Sequence, residues 1–117
     1  MPIVLFAENF VRNLEDIEAF LGSGEGSGVF SELIDTLVSS IVPTLMKYPA
    51  IGRDFMARRP RSVEGAQLHE KLMRRLGSEI TLRELISGDY LILYSLEDEN
   101  ITVLSIKHHR QLAYEYY

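Results

Sequence analysis

The sequence contains no cysteine, so it can form neither a disulfide framework nor a thiolate metal site. It also lacks any unbroken apolar run approaching the ~20 residues of a membrane span. Residues 1–8 are apolar for too short a stretch, and carry too little positive charge, to resemble a signal peptide. We therefore expect a cytoplasmic protein that makes no membrane contact and is stabilised by an apolar core.

Motifs of the common catalytic and cofactor sites are also absent. His69-Glu70 begins like a zinc protease motif, but the second histidine would be residue 73, which is Met73. The glycine-rich stretch at residues 22–28 is followed by no lysine, so it is not a phosphate-binding loop. No nucleophile elbow or close carboxylate pair stands out. The sequence predicts no metal and no cofactor.

Length and composition predict one domain over residues 1–117, with 46% hydrophobic and 25% charged residues. The net charge of −5 argues against a surface that binds DNA sequence-specifically. Residues 53–83, however, carry eight basic and four acidic side chains between two acidic regions. This basic segment either balances charge within the protein or attracts an anionic partner, and composition does not separate the two.

Two apolar stripes at helical spacing follow a short first strand predicted at residues 2–6. The first stripe begins after Glu8 and predicts a helix, its positions being Phe10, Leu14, Ile17 and Leu21. Residues 22–28 then predict a flexible connection, and Ser27 is the expected N-cap of a second helix. The wider stripe of that helix consists of Phe30, Leu33, Ile34, Leu37, Val38, Ile41, Val42 and Leu45.

Prolines and the basic segment determine the predicted structure of the middle of the chain. Pro43 predicts a kink in the second helix, and Pro49 predicts its end. Residues 57–61 read as an exposed linker. Ser62 as N-cap and Gly77 as C-cap predict a third helix over residues 63–76.

The C-terminal third predicts consecutive β-hairpins. Strand-forming runs are separated by turn signals at residues 87–89 and 97–100, which indicates a three-stranded antiparallel meander. Its central run, residues 90–96, is apolar at nearly every position and should be covered on both faces. The predicted fold is therefore α+β: an N-terminal strand, two antiparallel helices, an extra helix, and a meander forming one sheet packed on the helices.

Four segments in this order resemble the RelE/ParE superfamily of toxins from type II toxin–antitoxin systems. They are Pro49-Ala-Ile-Gly-Arg53, Arg83-Glu-Leu85, Tyr90-Leu-Ile-Leu-Tyr94 and a last strand ending in His108-His-Arg110. Two features depart from the family: a longer connection at residues 54–79, and Leu91 where the ribonucleases carry an arginine. The missing arginine favours the ParE-like branch.

The resemblance implies a toxin that binds DNA gyrase, is silenced by a cognate antitoxin, inhibits growth and stabilises plasmids. An acidic antitoxin tail would be attracted to the basic side chains. The predicted partner-binding residues are Arg53, Arg58, Arg59, Arg61, Arg83, Lys107, His108 and Arg110.

Two alternatives remain open. One is a ribosome-dependent mRNA endoribonuclease that needs no metal, whose catalytic residues would be Arg83, His109, Arg110 and a tail tyrosine, Tyr114 or Tyr116. The other is a domain of the same fold that has lost toxicity and serves as an interaction module.

Overall fold

The computed structural model describes residues 3–22, 24–55 and 80–108. Strand β1, Ile3–Phe6, is followed by helix α1, Glu8–Leu21. A second long helix consists of α2, Glu25–Thr36, a π-helical turn at Leu37–Ile41, and α3, Val42–Lys47. The predicted first strand and both predicted helices are thus present.

One sheet of five strands collects the remaining elements in the order β1-β5-β4-β3-β2. The added strands are β2, Arg53–Asp54; β3, Thr81–Ser87; β4, Tyr90–Glu97; and β5, Asn100–His108. Strands β2 to β5 pair antiparallel, whereas β1 pairs parallel to β5. The predicted meander β3-β4-β5 is confirmed, but the sheet is mixed and has five strands rather than the meander and a first strand alone.

The two hairpin turns lie where the turn residues predicted them. Gly88 has a φ of 56° in the first turn, and Asp98 has a φ of 56° in the second. Both residue types tolerate the left-handed conformation better than β-branched residues do. Local turn chemistry therefore fixes the register of the three strands.

The core lies between the long helix and one face of the sheet. Its helical contribution is a stripe of four buried side chains: Leu33, Leu37, Ile41 and Leu45. In β4 the adjacent residues Ile92, Leu93 and Tyr94 are each 0% exposed, which confirms that the central strand is buried on both faces. The helix α1 adds Phe10 to this core.

The glycine-rich connection is shorter than predicted. Helix α2 begins at Glu25, so Ser27 lies inside its first turn and its hydroxyl donates to the Gly24 carbonyl. Gly24 occupies the N-cap position instead. A Cβ on Gly26 would lie 1.9 Å from the Leu21 carbonyl oxygen, so only glycine permits the two helices to approach this closely. The prediction that Ser27 caps the helix was wrong.

At Pro43, where the sequence predicted a kink in the second helix, the structure has a π-helical turn just before the proline. A proline has no N–H and crowds the carbonyl four residues earlier, here that of Ser39. In the turn, the Val42 N–H reaches the carbonyl of Leu37, one residue further back than in an α-helix. The widened turn also places Val38 at 68% exposure, although the apolar spacing predicted that it faces the core.

Among the described helices, the stretch Gly26–Lys47 is long and apolar enough to cross a membrane by length and composition. The sequence contains no unbroken apolar run of that length, because Ser, Asp, Thr and Pro interrupt it. One stripe of this helix packs in the core. The predicted linker at residues 57–61 and the third helix at 63–76 lie outside the described residues.

Candidate functional site

A loop between α3 and β2 is fixed to the sheet by a buried tyrosine. The hydroxyl of Tyr94, on the central strand, donates to the Pro49 carbonyl at 2.7 Å and accepts from the Gly52 N–H at 2.9 Å. Tyr94 is 0% exposed. Its two hydrogen bonds therefore join the end of the long helix to the middle of the sheet.

Glycine is the only residue type that fits at position 52, where the loop meets β3 and β4. A Cβ there would lie 2.7 Å from the Tyr94 hydroxyl oxygen and 3.0 Å from the Glu84 carbonyl oxygen. Contacts this short require one of these groups to move. The glycine of the Pro-x-x-Gly-Arg segment thus serves the close approach of the loop to β3 and β4.

Two charged side chains of β3 hold the same loop. The Arg83 guanidinium donates to the carbonyls of Gly52, at 2.7 Å, and Ala50, at 3.2 Å. Beside it, Glu84 is 1% exposed and its Oε1 lies 2.6 Å from the guanidinium of Arg53 on β2. We refer to residues 49–53 with Arg83, Glu84 and Tyr94 as the loop clamp.

Burial raises the pKa of Tyr94 above its usual value of 10.0, and the Gly52 hydrogen bond and the Arg83 charge only partly oppose this. The neutral hydroxyl is the form that can donate to Pro49. The environment of the clamp therefore favours the protonation state on which its geometry depends.

A second polar cluster joins α1 to β5. The side-chain oxygen of Asn13 accepts from the Ser105 hydroxyl at 2.9 Å and from the Ile106 N–H at 3.1 Å, and Asn9 donates to the Leu104 carbonyl at 3.1 Å. Both asparagines are buried. Because β1 pairs with β5 only as far as Val103, these side chains satisfy backbone groups of β5 beyond the end of β1.

This asparagine pair coincides with an irregularity in β5. Leu93 of β4 pairs with Ser105 and Tyr94 pairs with Val103, so Leu104 is an extra residue that forms a bulge. After it, Ser105, Ile106 and Lys107 are all buried, although strict alternation predicts one buried residue in two. The asparagine pair thus supports β5 where its pairing changes.

The predicted site residues that the structure describes lie on both faces of the sheet. Arg83 pairs with Tyr94 and His108 pairs with Tyr90, so both lie on the face of Tyr94. Arg53 and Lys107 pair with residues of the opposite face. At ~3.4 Å per residue and ~4.8 Å per strand, Arg83 and His108 stand roughly 16 Å apart. The described residues do not converge on one catalytic point.

Each of these side chains has its own environment. Arg83 belongs to the loop clamp, whereas the Arg53 side chain remains 56% exposed while paired with Glu84. Lys107 is 7% exposed and has an interaction partner. His108 meets Tyr90 edge to face, with ring centroids 5.7 Å apart. Burial raises the pKa of the Tyr90 hydroxyl, and nearby Asp89 adds to this. A role for these residues in partner binding stays a prediction.

Six more predicted site residues lie outside the described ranges: Arg58, Arg59, Arg61, His109, Arg110 and Tyr114. The same is true of Tyr116. Within residues 3–22, 24–55 and 80–108, no three histidine, aspartate or glutamate side chains come together in a way that could hold a metal ion.

Sequence reasoning did not identify the clamp or the asparagine pair. In the sequence alone, Tyr94 has the pattern of an ordinary packing residue, and Asn13 lies outside the apolar stripe of α1. Two signals were available: a Gly-Arg shortly after the predicted end of the second helix, and asparagines four residues apart on the side of the helix next to Phe10. Neither signal names the strand that the side chains contact.

The arrangement described so far is a helical pair on one face of a mixed sheet, with a clamped loop between the helices and the sheet. The chain matches the family model described as ParE toxin of type II toxin-antitoxin system, parDE, over residues 4–113. It therefore belongs to the ParE toxin family. No curated protein matches the chain.

Proposed function

We propose that this ParE-family protein is a type II toxin that acts by binding DNA gyrase, rather than by cleaving RNA, and that a cognate antitoxin neutralises it. The family supports the toxin and the antitoxin. Gyrase as target rests on the resemblance to the ParE-like branch. The loop clamp carries the preference for binding over catalysis.

The clamp matters because it engages Arg83, the one residue of the proposed ribonuclease set that lies in the described part of the chain. Metal-free RNA cleavage needs cations that are free to stabilise a charged phosphorane. Here the Arg83 guanidinium donates to the carbonyls of Ala50 and Gly52, and the Tyr94 hydroxyl donates its one proton to the Pro49 carbonyl and accepts from the Gly52 N–H. These groups stabilise the fold, which leaves protein contacts as the better supported mode of action.

Arg53 is the described cation best suited to an acidic antitoxin tail. Its guanidinium is held by the buried Glu84, and the side chain is 56% exposed. A guanidinium fixed in this way loses less conformational freedom on binding a second carboxylate than an unrestrained side chain does. The neighbouring arginines of residues 58–61 would extend the attraction along the same segment.

The test is to express the protein alone in bacteria and, separately, to add the purified protein to DNA gyrase. The expected results are growth arrest, loss of supercoiling and intact messages by primer extension. A His109→Ala/Tyr114→Phe double variant is the matched control, since it removes two of the proposed ribonuclease groups and should remain as toxic as the wild type. Normal growth together with unaffected supercoiling would exclude the proposal.

Message cleavage at defined codons would instead identify the protein as a ribonuclease, above all if the double variant abolished it. Co-expression of a small open reading frame that abuts the gene tests the antitoxin. Its product should restore growth and bind the toxin. Failure of Arg53→Met to weaken that complex would remove Arg53 from the binding surface while leaving the toxin assignment intact.

A further inference from the structure

The edges of this sheet differ in how far they are protected from pairing with another chain. An exposed edge strand offers unpaired N–H and C=O groups, and proteins usually shorten, charge or cover such strands. Strand β2 is two residues long and consists of Arg53 and Asp54, both exposed. It is short and charged, so it is a poor template for a further strand.

The second half of β5 is also protected, by the asparagine pair. Asn9 and Asn13 hydrogen-bond to Leu104 and Ile106 at the point where β1 no longer covers the strand. An incoming strand would have to displace both side chains. The helix thus replaces the missing neighbour of β5.

Within the part of the chain that the structure describes, strand β1 has neither kind of protection. Its four residues, Ile-Val-Leu-Phe, carry no charge, and the side chains of Ile3, Leu5 and Phe6 are 53%, 59% and 46% exposed. The Ala7 N–H bonds to the Val103 carbonyl of β5, so by alternation the N–H and C=O groups of Val4 and Phe6 point to the outer side. No described strand lies there.

A second copy of the chain fits this edge poorly. Pairing of two four-residue strands buries far less than the ~1,000 Å² typical of a stable interface. Each copy also carries a net charge of −5. Both arguments favour a partner of another kind.

Acidic side chains flank β1 at both ends. Ile3 is in register with Asn100, which directly follows the exposed turn residues Glu97, Asp98 and Glu99. At the other end, exposed Glu8 begins α1 two residues after Phe6. A strand paired with β1 would therefore have acidic groups near both of its termini.

We propose that β1 is a docking edge for an extended, apolar segment of a partner protein that carries basic residues at both ends. Main-chain hydrogen bonds to Val4 and Phe6 supply the pairing, the exposed side chains of Ile3 and Leu5 supply apolar contact, and the flanking carboxylates select the charge. This surface is separate from Arg53 and the loop clamp, so it holds whether or not the chain inhibits gyrase.

The test uses two synthetic peptides, Lys-Lys-Thr-Val-Thr-Ile-Thr-Val-Lys-Lys and the same core flanked by glutamate in place of lysine. The basic peptide should bind the full-length protein at least about tenfold more tightly than the acidic one, at physiological salt. Its binding should shift the backbone amide resonances of Val4 and Phe6. Absence of binding up to about 1 mM, or equal affinity for both peptides, overturns the proposal.

Single substitutions separate the contributions of the apolar edge and of the flanking acidic residues. Leu5→Lys should weaken the basic peptide about tenfold, whereas Val38→Lys, at an equally exposed apolar position on the helix, should leave its affinity unchanged. Glu97→Lys should reduce the preference between the peptides to a few-fold. If Leu5→Lys perturbs the fold by circular dichroism, Ile3→Lys replaces it. Equal binding by the wild type and the edge variant contradicts docking at β1.

Discussion

On the β2–β3 side of the sheet, polar side chains are used internally: Tyr94, Arg83 and Glu84 hold a loop in place. On the β1–β5 side, the asparagine pair covers part of one strand, and the outermost strand is left apolar and exposed. The two sides share a core but differ in what they offer to other molecules. Among the described residues, the clamped side presents the half-exposed Arg53, whereas the β1 side presents an apolar edge.

This comparison shows that a residue's presence in a family motif does not reveal whether it stabilises the fold or contacts another molecule. Gly52 and Tyr94 belong to two of the four segments that carried the resemblance, yet their contacts are with each other. The exposed residues Ile3 and Leu5 belong to none of those segments. Substitutions can test this contrast, beginning with the largest expected effect.

Gly52→Ala should destabilise the protein by about 3 kcal/mol, since the new methyl group would collide with the Tyr94 hydroxyl and the Glu84 carbonyl. Urea denaturation followed by circular dichroism measures the loss. Gly28→Ala is the matched control: nothing lies within 4 Å of its Cβ, and alanine in a helix should be neutral or stabilising by up to about 1 kcal/mol. Equal stability of the two variants would contradict the close approach.

Tyr94→Phe should cost about 2 kcal/mol at neutral pH, because the buried Gly52 N–H and the Pro49 carbonyl lose their partner while the ring remains. Thermal unfolding at pH 7 measures this. Tyr48→Phe, at a residue that is 54% exposed, provides the control. A Tyr94→Phe protein as stable as the wild type would show that the hydroxyl contributes nothing to the clamp.

The same variant carries a pH signature. The pKa of Tyr94 is raised in the folded state, so the native protein holds the proton more tightly than the unfolded chain does. This contribution is complete below the unfolded value of about 10 and is lost as the pH rises through the folded pKa. The stability of the wild type should therefore fall more steeply above pH 10 than that of Tyr94→Phe. Parallel stability curves for the two proteins would contradict this expectation. Tyr90→Phe is the comparison, because burial raises the pKa of that hydroxyl too.

Asn13→Ala should cost between about 1 and 2 kcal/mol, since the Ile106 N–H and the Ser105 hydroxyl lose their acceptor. Asn13→Asp keeps an oxygen at that position and should lose less than half as much. Hydrogen exchange of the Ile106 amide is the local readout and should accelerate in the alanine variant. Equal losses in the two variants would show that Asn13 acts by packing alone.

Arg53→Met should have the smallest effect, about 1 kcal/mol, because the guanidinium is half exposed although its partner is buried. Glu84→Gln in the same protein should recover part of the loss, since it removes a buried charge that no longer has the Arg53 guanidinium beside it. A double-mutant cycle of the unfolding free energies gives the coupling. A coupling of zero would mean that the Arg53–Glu84 ion pair contributes nothing to stability.

Much of the fold follows from local patterns in the sequence. The hairpin turns at Gly88 and Asp98, the apolar central strand and the stripe of Phe10 in α1 each depend on residues close together in the chain. Such signals need no knowledge of distant neighbours. They were sufficient to predict the meander and both helices.

The missed features depend on contacts between distant residues. Strand β2 is two residues long and exists because Tyr94 and Arg83 fix the loop before it, 42 and 31 positions away from Gly52. Asn13 reaches Ile106 across 93 positions. A polar residue that will bond to a buried strand looks, in sequence, the same as one that will face water.

The π-helical turn explains one last property of the long helix. Its buried residues Leu33, Leu37, Ile41 and Leu45 are spaced by four, and four residues of an α-helix overshoot a full rotation by about 40°. The wider turn takes up part of that overshoot and thereby contains one surplus position. Homologues that lack one residue between positions 37 and 41 should therefore keep both ends of the helix in the same place. In an alignment, the one-residue gap should stay within this turn and should not shift the positions of the sheet residues.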